Sequence, residues 1–474
     1  MQLGSRWSAL AEWALFACLA PTFVACGTAP AGLDAPGMSP AAGLPKGVHI
    51  ANDGRYHEEV CDHSAAHYCL AERVIADDVR SQVLRLRRPA VAPAFGGDFC
   101  AGQEGGLGDP APPPTAMTPS DVLAAYDIAP STSAQGRIVA LVDMPDSTAF
   151  EDLNTYRKAY GIAPLPRCVR GIPDGRTPCF AAVDEGGAPT STQLDCPAAD
   201  GETALDMDMV SAACPDCSIL LVQMTDATQG PFPKDFVAAS STAARLGAVA
   251  TSISFGGPEE GGEPTGYTTP GHLVVAASGD TGYLLEGSFG GGRAPSYPAS
   301  APDVLAVGGT LLQRRGATYS EVVWADRTGS TGSGCSTEFP MPDFQARFGA
   351  GRFGACGKRA SVDLAAASNF SPETRGGGIA TFESHHQWVP MVGTSASAPL
   401  VAAILTRVGI AAEAANDLGL VYANLAAFND VTSGTDDQEG ICSAGDVMCT
   451  AGPGWDGPTG VGTPNAAKLA ALAR

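Results

Sequence analysis

Ser395 stands in "MVGTSASAPLVAAIL" (391–405), a small hydroxyl residue between glycine and proline just ahead of a long apolar run. Pro399 is tolerated in a first helical turn, where its missing N–H costs nothing, and good helix formers follow it. The pattern predicts a helix over 399–412 with Ser395 at its N-terminus. There the dipole and free N–H groups favour developing negative charge, which suits an alkoxide or a tetrahedral oxyanion. A plain helix cap is the competing reading. A nucleophilic serine needs a base, usually histidine. His49, His57, His63 and His67 lie in an N-terminal segment, His385 and His386 fall in a polar stretch that reads as a loop, and His272 begins a predicted strand and reads as structural. The base must be sought among other residue types.

Carboxylates supply it. In "DGETALDMDMVSAACPDC" Asp200 can cap a helix, which places Glu202 and Asp206 four apart on one face, close enough to share a proton. Asp208 points elsewhere, about 240° round from Glu202. Two like carboxylates in contact raise one pKa, so such a pair can hold a proton and pass it on. An isolated helical acid pair usually marks a solvated face, but Ala204, Leu205, Met207, Met209 and Val210 around this one point to a buried or clefted face. A third acid, Asp280 in "VVAASGDTGY", directly follows an apolar strand, the crevice position where α/β sheets place ligands. Gly279 and Gly282 beside it let a backbone approach closely. An ordinary turn aspartate is the alternative there.

These residues need a scaffold, and the chain beyond Thr118 has an α/β texture. Short Val- and Ile-rich runs at 137–144, 218–224, 248–255, 272–278 and 304–312 read as strands buried on both faces. Helical segments are predicted at 148–160, 201–213, 233–246, 399–412 and 464–473, which gives a doubly wound, mainly parallel sheet with helices on both faces. Residues 1–26 resemble an export signal, and "FVAC" resembles a lipoprotein cleavage box that would place a lipid on Cys26. Residues 27–116 form a short Cys-containing segment ending in a Pro/Gly-rich linker, and 117–474 form the main domain. Within the N-terminal segment Cys61, His63, His67 and Cys69 have the spacing of zinc ligands, although an exported chain favours a Cys61/Cys69 disulfide. The other close pairs are Cys168/Cys179, Cys214/Cys217, Cys335/Cys356 and Cys442/Cys449, leaving Cys100 and Cys196. A formal charge of −22 argues against nucleic acid or an anionic membrane as a partner.

Four ordered stretches, "ETALD", "SGDTG", "YPASAPDVLAVGGT" and "GTSASAP", resemble motifs of the sedolisins, serine-carboxyl peptidases with a subtilisin-like fold. The likeness runs from about residue 117 to the C-terminus. It implies that Ser395 is the nucleophile, Glu202 its general base, Asp206 the partner that orients Glu202, and Asp280 an oxyanion donor. It implies strand addition of substrate to Ser254, Phe255 and Gly256 in "SISFGG". It further implies one structural Ca2+ held by the Asp430 and Asp456 carboxylates and the Val431, Gly452 and Gly454 carbonyls, an oxygen-only set that suits a hard cation. The expected protein is a secreted, monomeric endopeptidase acting on proteins or peptides at acid pH. Phe255 stands where many members have tryptophan, and the segment before residue 117 is shorter than many family propeptides. Asp143, closing "RIVALVDM", is assigned a supporting role. Two rivals are an inactive surface-displayed binding protein on the same scaffold and a His-dependent subtilisin, which would need a histidine in an "HGT"-like helix start that the sequence lacks.

Overall fold

A computed structural model describes residues 48–50, 56–59, 68–69, 71–75, 110–190, 200–224, 233–259, 261–284, 295–372, 377–384, 387–443 and 445–473. The signal-like segment, Cys26, the linker, the Cys61/Cys69 and Cys100/Cys196 pairings and the zinc alternative fall wholly or partly outside these residues. Eight strands build the central sheet. Its order is Thr318–Val323, Leu305–Arg315, Leu273–Ala277, Ala250–Ile253, Ile138–Asp143, Ser218–Gln223 and Phe180–Asp184, with Leu364–Ser371 pairing along Leu305–Arg315. All pairings are parallel except that of Thr318–Val323. The central strands Ile138–Asp143, Ser218–Gln223 and Leu273–Ala277 are buried throughout, as their unbroken apolar character requires.

Helices pack on this sheet, and the two that matter most for the site pack on each other. Asp200–Ala213 lies against Thr394–Val408. All 15 residues of Thr394–Val408 are buried, the mark of a helix enclosed on every side. Fully buried Leu400, Val401, Ile404 and Leu405 each contribute about 1.5–3 kcal/mol of transfer free energy. Gly409 ends the helix in a left-handed conformation, φ 87°, its N–H donating to the Leu405 and Thr406 carbonyls. Pro233–Arg245, by contrast, is one-sided: Phe236, Ala239 and Ala243 are buried and Arg245 reaches the surface to bond the Gly186 carbonyl.

Two expected elements have different bounds. The helix predicted at 399–412 begins at Thr394, stops at Gly409 and is followed by a separate helix, Ala411–Asn416. The strand predicted at 248–255 breaks at Ser254: Ala250–Ile253 stays in the central sheet, while Phe255–Pro258 pairs with Ser296–Tyr297 and Tyr68–Cys69. Disulfides join Cys168 to Cys179, Cys214 to Cys217, Cys335 to Cys356 and Cys442 to Cys449, matching four of the sequence pairings. Among the described residues no helix is long and apolar enough to cross a membrane.

Candidate active site

The strand Gln387–Val392 delivers the chain to Gly393, whose φ of 144° is a conformation few side chains adopt, and the helix then begins at once with Thr394. Ser395 is therefore in the first helical turn and Pro399 is inside the helix, not at its start. The proline has no N–H to offer the Ser395 carbonyl four residues back. That carbonyl instead lies 3.3 Å from the Ser254 hydroxyl, which donates to it, and the Ser395 hydroxyl donates at 3.3 Å to the Ser254 carbonyl. The broken strand and the proline-containing helix thus lock together around the serine.

Glu202 and Asp206 are fully buried on the helix facing Ser395. Burial raises the Glu202 pKa well above the carboxylate range, Asp143 and Asp280 add repulsion, and the Ser395 hydroxyl draws it down. That hydroxyl stops short of a full hydrogen bond to either Glu202 oxygen. Catalytic hydrogen bonds are often loose before substrate binds. Asp206 is raised by burial, then by Asp143 and Glu202, and accepts the Ser254 hydroxyl at 2.8 and 3.0 Å. Asp143, at the end of its strand, is pushed up to about 8 by burial and by Asp146. None of the principal influences on these three acids is a cation. Their charge is limited by protonation.

Asp280 is held from the other side. One of its oxygens accepts both the backbone N–H and the hydroxyl of Thr394, each at 2.8 Å, and the Thr394 hydroxyl in turn accepts the Gly279 N–H at 3.1 Å. Gly279 takes a φ of 103° to permit this. Asp208 faces away, as its helical position predicts, and accepts the Phe382 N–H at 3.2 Å. His272 is buried with both ring nitrogens engaged, by the Ala248 carbonyl at 2.7 Å and the Thr251 hydroxyl at 3.0 Å, and burial lowers its pKa. It is bonded into the sheet and does not serve Ser395.

Two of the predicted cation ligands, Asp430 and Asp456, lie close enough for their charges to interact. Asp456 accepts the Gly452 N–H at 3.0 Å with one oxygen and the Thr459 N–H and hydroxyl, at 3.0 and 2.8 Å, with the other. Asp430 accepts the Gly454 N–H at 3.0 Å. Burial and, in smaller part, the Asp430 charge raise Asp456 to about 7. Two carboxylates drawn together among backbone groups, with no basic side chain bonded to either, fit a hard cation.

A model of the subtilase family matches residues 197–416. The chain is 30% identical over 377 residues to kumamolisin of Bacillus sp. (strain MN-32), an alignment covering 75% of this chain and 63% of kumamolisin. It is 27% identical over 428 residues to tripeptidyl-peptidase sed1 of Aspergillus fumigatus, covering 74% and 64% respectively. It spans somewhat under two thirds of the length of these curated relatives. Among solved structures, Pseudomonas sedolisin complexed with two molecules of pseudo-iodotyrostatin overlays with a TM-score of 0.58 at 22% identity, covering 78% of this chain and 98% of that one. The chain is similar to sedolisins in sequence and shares their subtilisin-like fold.

Within this sedolisin fold, Ser254 touches more than the sequence suggested. Read as a substrate-strand residue, it also joins Asp206 to the Ser395 backbone, a link between positions 48 and 141 residues apart that no local pattern signals. Phe255 is fully buried, and its backbone and that of Gly256 already carry a strand: Tyr68 lies opposite Gly256 and Cys69 opposite Phe255, antiparallel. The same N-terminal chain then pairs antiparallel with Gln387–Val392, Glu72 opposite Val392 and Arg73 opposite Met391. Residues from the N-terminal segment therefore run along strands on both sides of the sedolisin serine.

Proposed function

We propose that this chain is a secreted serine-carboxyl endopeptidase that cleaves proteins or peptides at acid pH through an acyl-enzyme on Ser395. The observation that carries the reading is the Ser395 hydroxyl, at a helix N-terminus, facing a buried acid whose pKa it lowers, with no histidine at hand among the described residues. In the reaction Glu202 accepts the proton of Ser395 Oγ as that oxygen attacks the scissile carbonyl carbon. Asp280, protonated, donates to the oxyanion, while Asp206 keeps Glu202 oriented and shares its proton. Glu202 then returns the proton to the departing amine, and water repeats the sequence to release the acid product. One acid must be ionised while another stays protonated, which low pH provides.

The C-terminal loops complete the proposal. The carboxylates of Asp430 and Asp456, with the carbonyls of Val431, Gly452 and Gly454, would hold one Ca2+, which supplies charge neutralisation and ties two loops together. Export, with or without lipid on Cys26, agrees with four disulfides in the described residues. Monomeric action on polypeptides, without nucleic acid, agrees with the acidic composition.

The test is an assay of the purified chain on denatured protein from about pH 3 to about pH 7, beside Ser395→Ala and Glu202→Ala. Removing a nucleophile from such a unit should lower kcat by about 10⁴-fold or more. Parent activity that rises toward acid pH and disappears in both variants is the expected result. Equal activity in parent and variants overturns it.

A further inference from the structure

Resting on the peptidase reading above, we propose that Glu383 is a specificity residue that takes a cationic side chain at the third position after the scissile bond. The evidence is the strand already in the cleft. Cys69 lies opposite Phe255, the residue after Ser254, whose carbonyl accepts the Ser395 hydroxyl. On the far side Glu72 lies opposite Val392, three residues before Ser395. Cys69 and Glu72 thus stand on strands on either side of the nucleophile, and the proposal counts Ala71, Glu72 and Arg73 as the first, second and third positions beyond the cleaved bond. Ala71 and Arg73 are both buried.

Arg73 identifies what the third position accepts. Its guanidinium lies 2.9 Å from a Glu383 oxygen, with side chains 5% and 0% exposed. Glu383 ends the strand Ile379–Glu383, which pairs with Gln387–Val392, the strand that carries Glu72 and Arg73. The surroundings are acidic. Asp152 accepts the Ser384 N–H at 2.9 Å and feels the Glu383 charge, and Asp208 accepts the Phe382 N–H. The cation on this side, Arg157, is turned to the Ala163 and Pro215 carbonyls and the Ser211 hydroxyl. A buried carboxylate in an acidic field is matched by a long cation and opposed by an uncharged or acidic residue, since a charge taken from water needs its partner.

Two otherwise identical peptides, with Arg or Gln three residues after the cleaved bond, test this on the full chain. We expect kcat/KM at least about 30-fold higher for the Arg peptide, the discrimination of a desolvated charge pair. In Glu383→Gln the ratio should collapse to within about 3-fold. Equal cleavage of both peptides by the parent overturns the proposal without needing any variant to fold. If neither peptide is cut, the subsite is read instead by fluorescence anisotropy on a chain carrying Ser395→Ala and Arg73→Ala, which separates this proposal from the peptidase reading. Tighter binding of the Arg peptide then supports the proposal, and equal affinity sinks it.

Discussion

Asp363 and Glu202 are both fully buried carboxylates, yet they are compensated in opposite ways. Asp363 receives four donors: Arg359 Nη1 at 2.8 Å and Nη2 at 2.6 Å, the Tyr422 hydroxyl at 2.6 Å and the Ala306 N–H at 2.7 Å. Burial is the largest influence and works against the Arg359 charge, but Asp363 and Tyr422 together outweigh it and the guanidinium pKa rises. Around Glu202 the neighbours are other acids and hydroxyls, so protons do the work that a cation does beside Asp363. A fixed ion pair holds structure through its own two charges. A cluster that relies on protons can release one and take another up, which is what general acid–base work requires.

The largest effects expected from this contrast are of opposite sign in stability and activity. Asp363→Asn leaves the Arg359 charge buried without a carboxylate and should cost about 3–5 kcal/mol. Glu202→Gln replaces an acid whose charged form burial disfavours by a neutral side chain of the same shape, so it should leave stability near neutral pH unchanged or higher while abolishing turnover. Glu202, Asp206 and Asp143 all have folded pKa values above their unfolded ones, so the native state binds more protons. Their contribution is complete below the unfolded carboxylate pKa and is lost as pH rises, for Asp143 across the window from 3.8 to about 8. Urea midpoints of the Ser395→Ala chain should therefore fall through that window, and Asp143→Asn should flatten the decline. A midpoint that climbs with pH there would show that these acids are ionised in the native state.

Much of the acid cluster was legible because helix periodicity alone brings Glu202 and Asp206 together and turns Asp208 away. Asp280 was legible from the apolar strand it follows. The link through Ser254 was not: its hydroxyl reaches Asp206 only because the strand breaks there. The helix start was misplaced because Pro399 reads as a first-turn residue. It can sit deeper because the Ser254 hydroxyl takes up the carbonyl the proline leaves without a donor. Phe180–Asp184 and Leu364–Ser371 escaped as strands, since "FAAVD" and "LAAASNFS" carry little β-branched signal. The N-terminal strands Tyr68–Cys69 and Glu72–Ile75 are shorter still; the first pairs with Phe255–Pro258 far along the chain, and the second joins nearby Tyr56–Glu59 to the distant Gln387–Val392.

In the proposed calcium site Asp430 and Asp456 would be compensated in a third way, by a cation taken from solution, and its removal should have an intermediate effect. Chelation of a chain held at calcium about 100 times its Kd should lower stability by roughly 2.7 kcal/mol. Asp456→Ala should respond little to either chelator or added calcium. Unfolding midpoints that ignore chelator and calcium in the parent would remove the ion from the proposal and leave these acids to protons, like Glu202.

The smallest effect isolates burial itself. Arg347 bonds Asp417 at 2.6 Å, the same distance as Arg359 to Asp363, but both side chains are 58% exposed where the other pair is fully enclosed. Water screens the exposed pair, and holding two long side chains in place offsets much of the attraction, so Arg347→Ala should cost about 1 kcal/mol or less. Asp417 also accepts the Gly419 N–H, so a double-mutant cycle with Asp417→Ala is needed to separate the ion pair from that turn. The coupling energy should shrink further as salt is added, whereas the penalty of Asp363→Asn should not. A coupling at Arg347 as large and as salt-resistant as the loss at Asp363 would mean that contact distance, not enclosure, sets the strength of charge pairs in this protein, and the contrast with the proton-compensated acids would lose its physical basis.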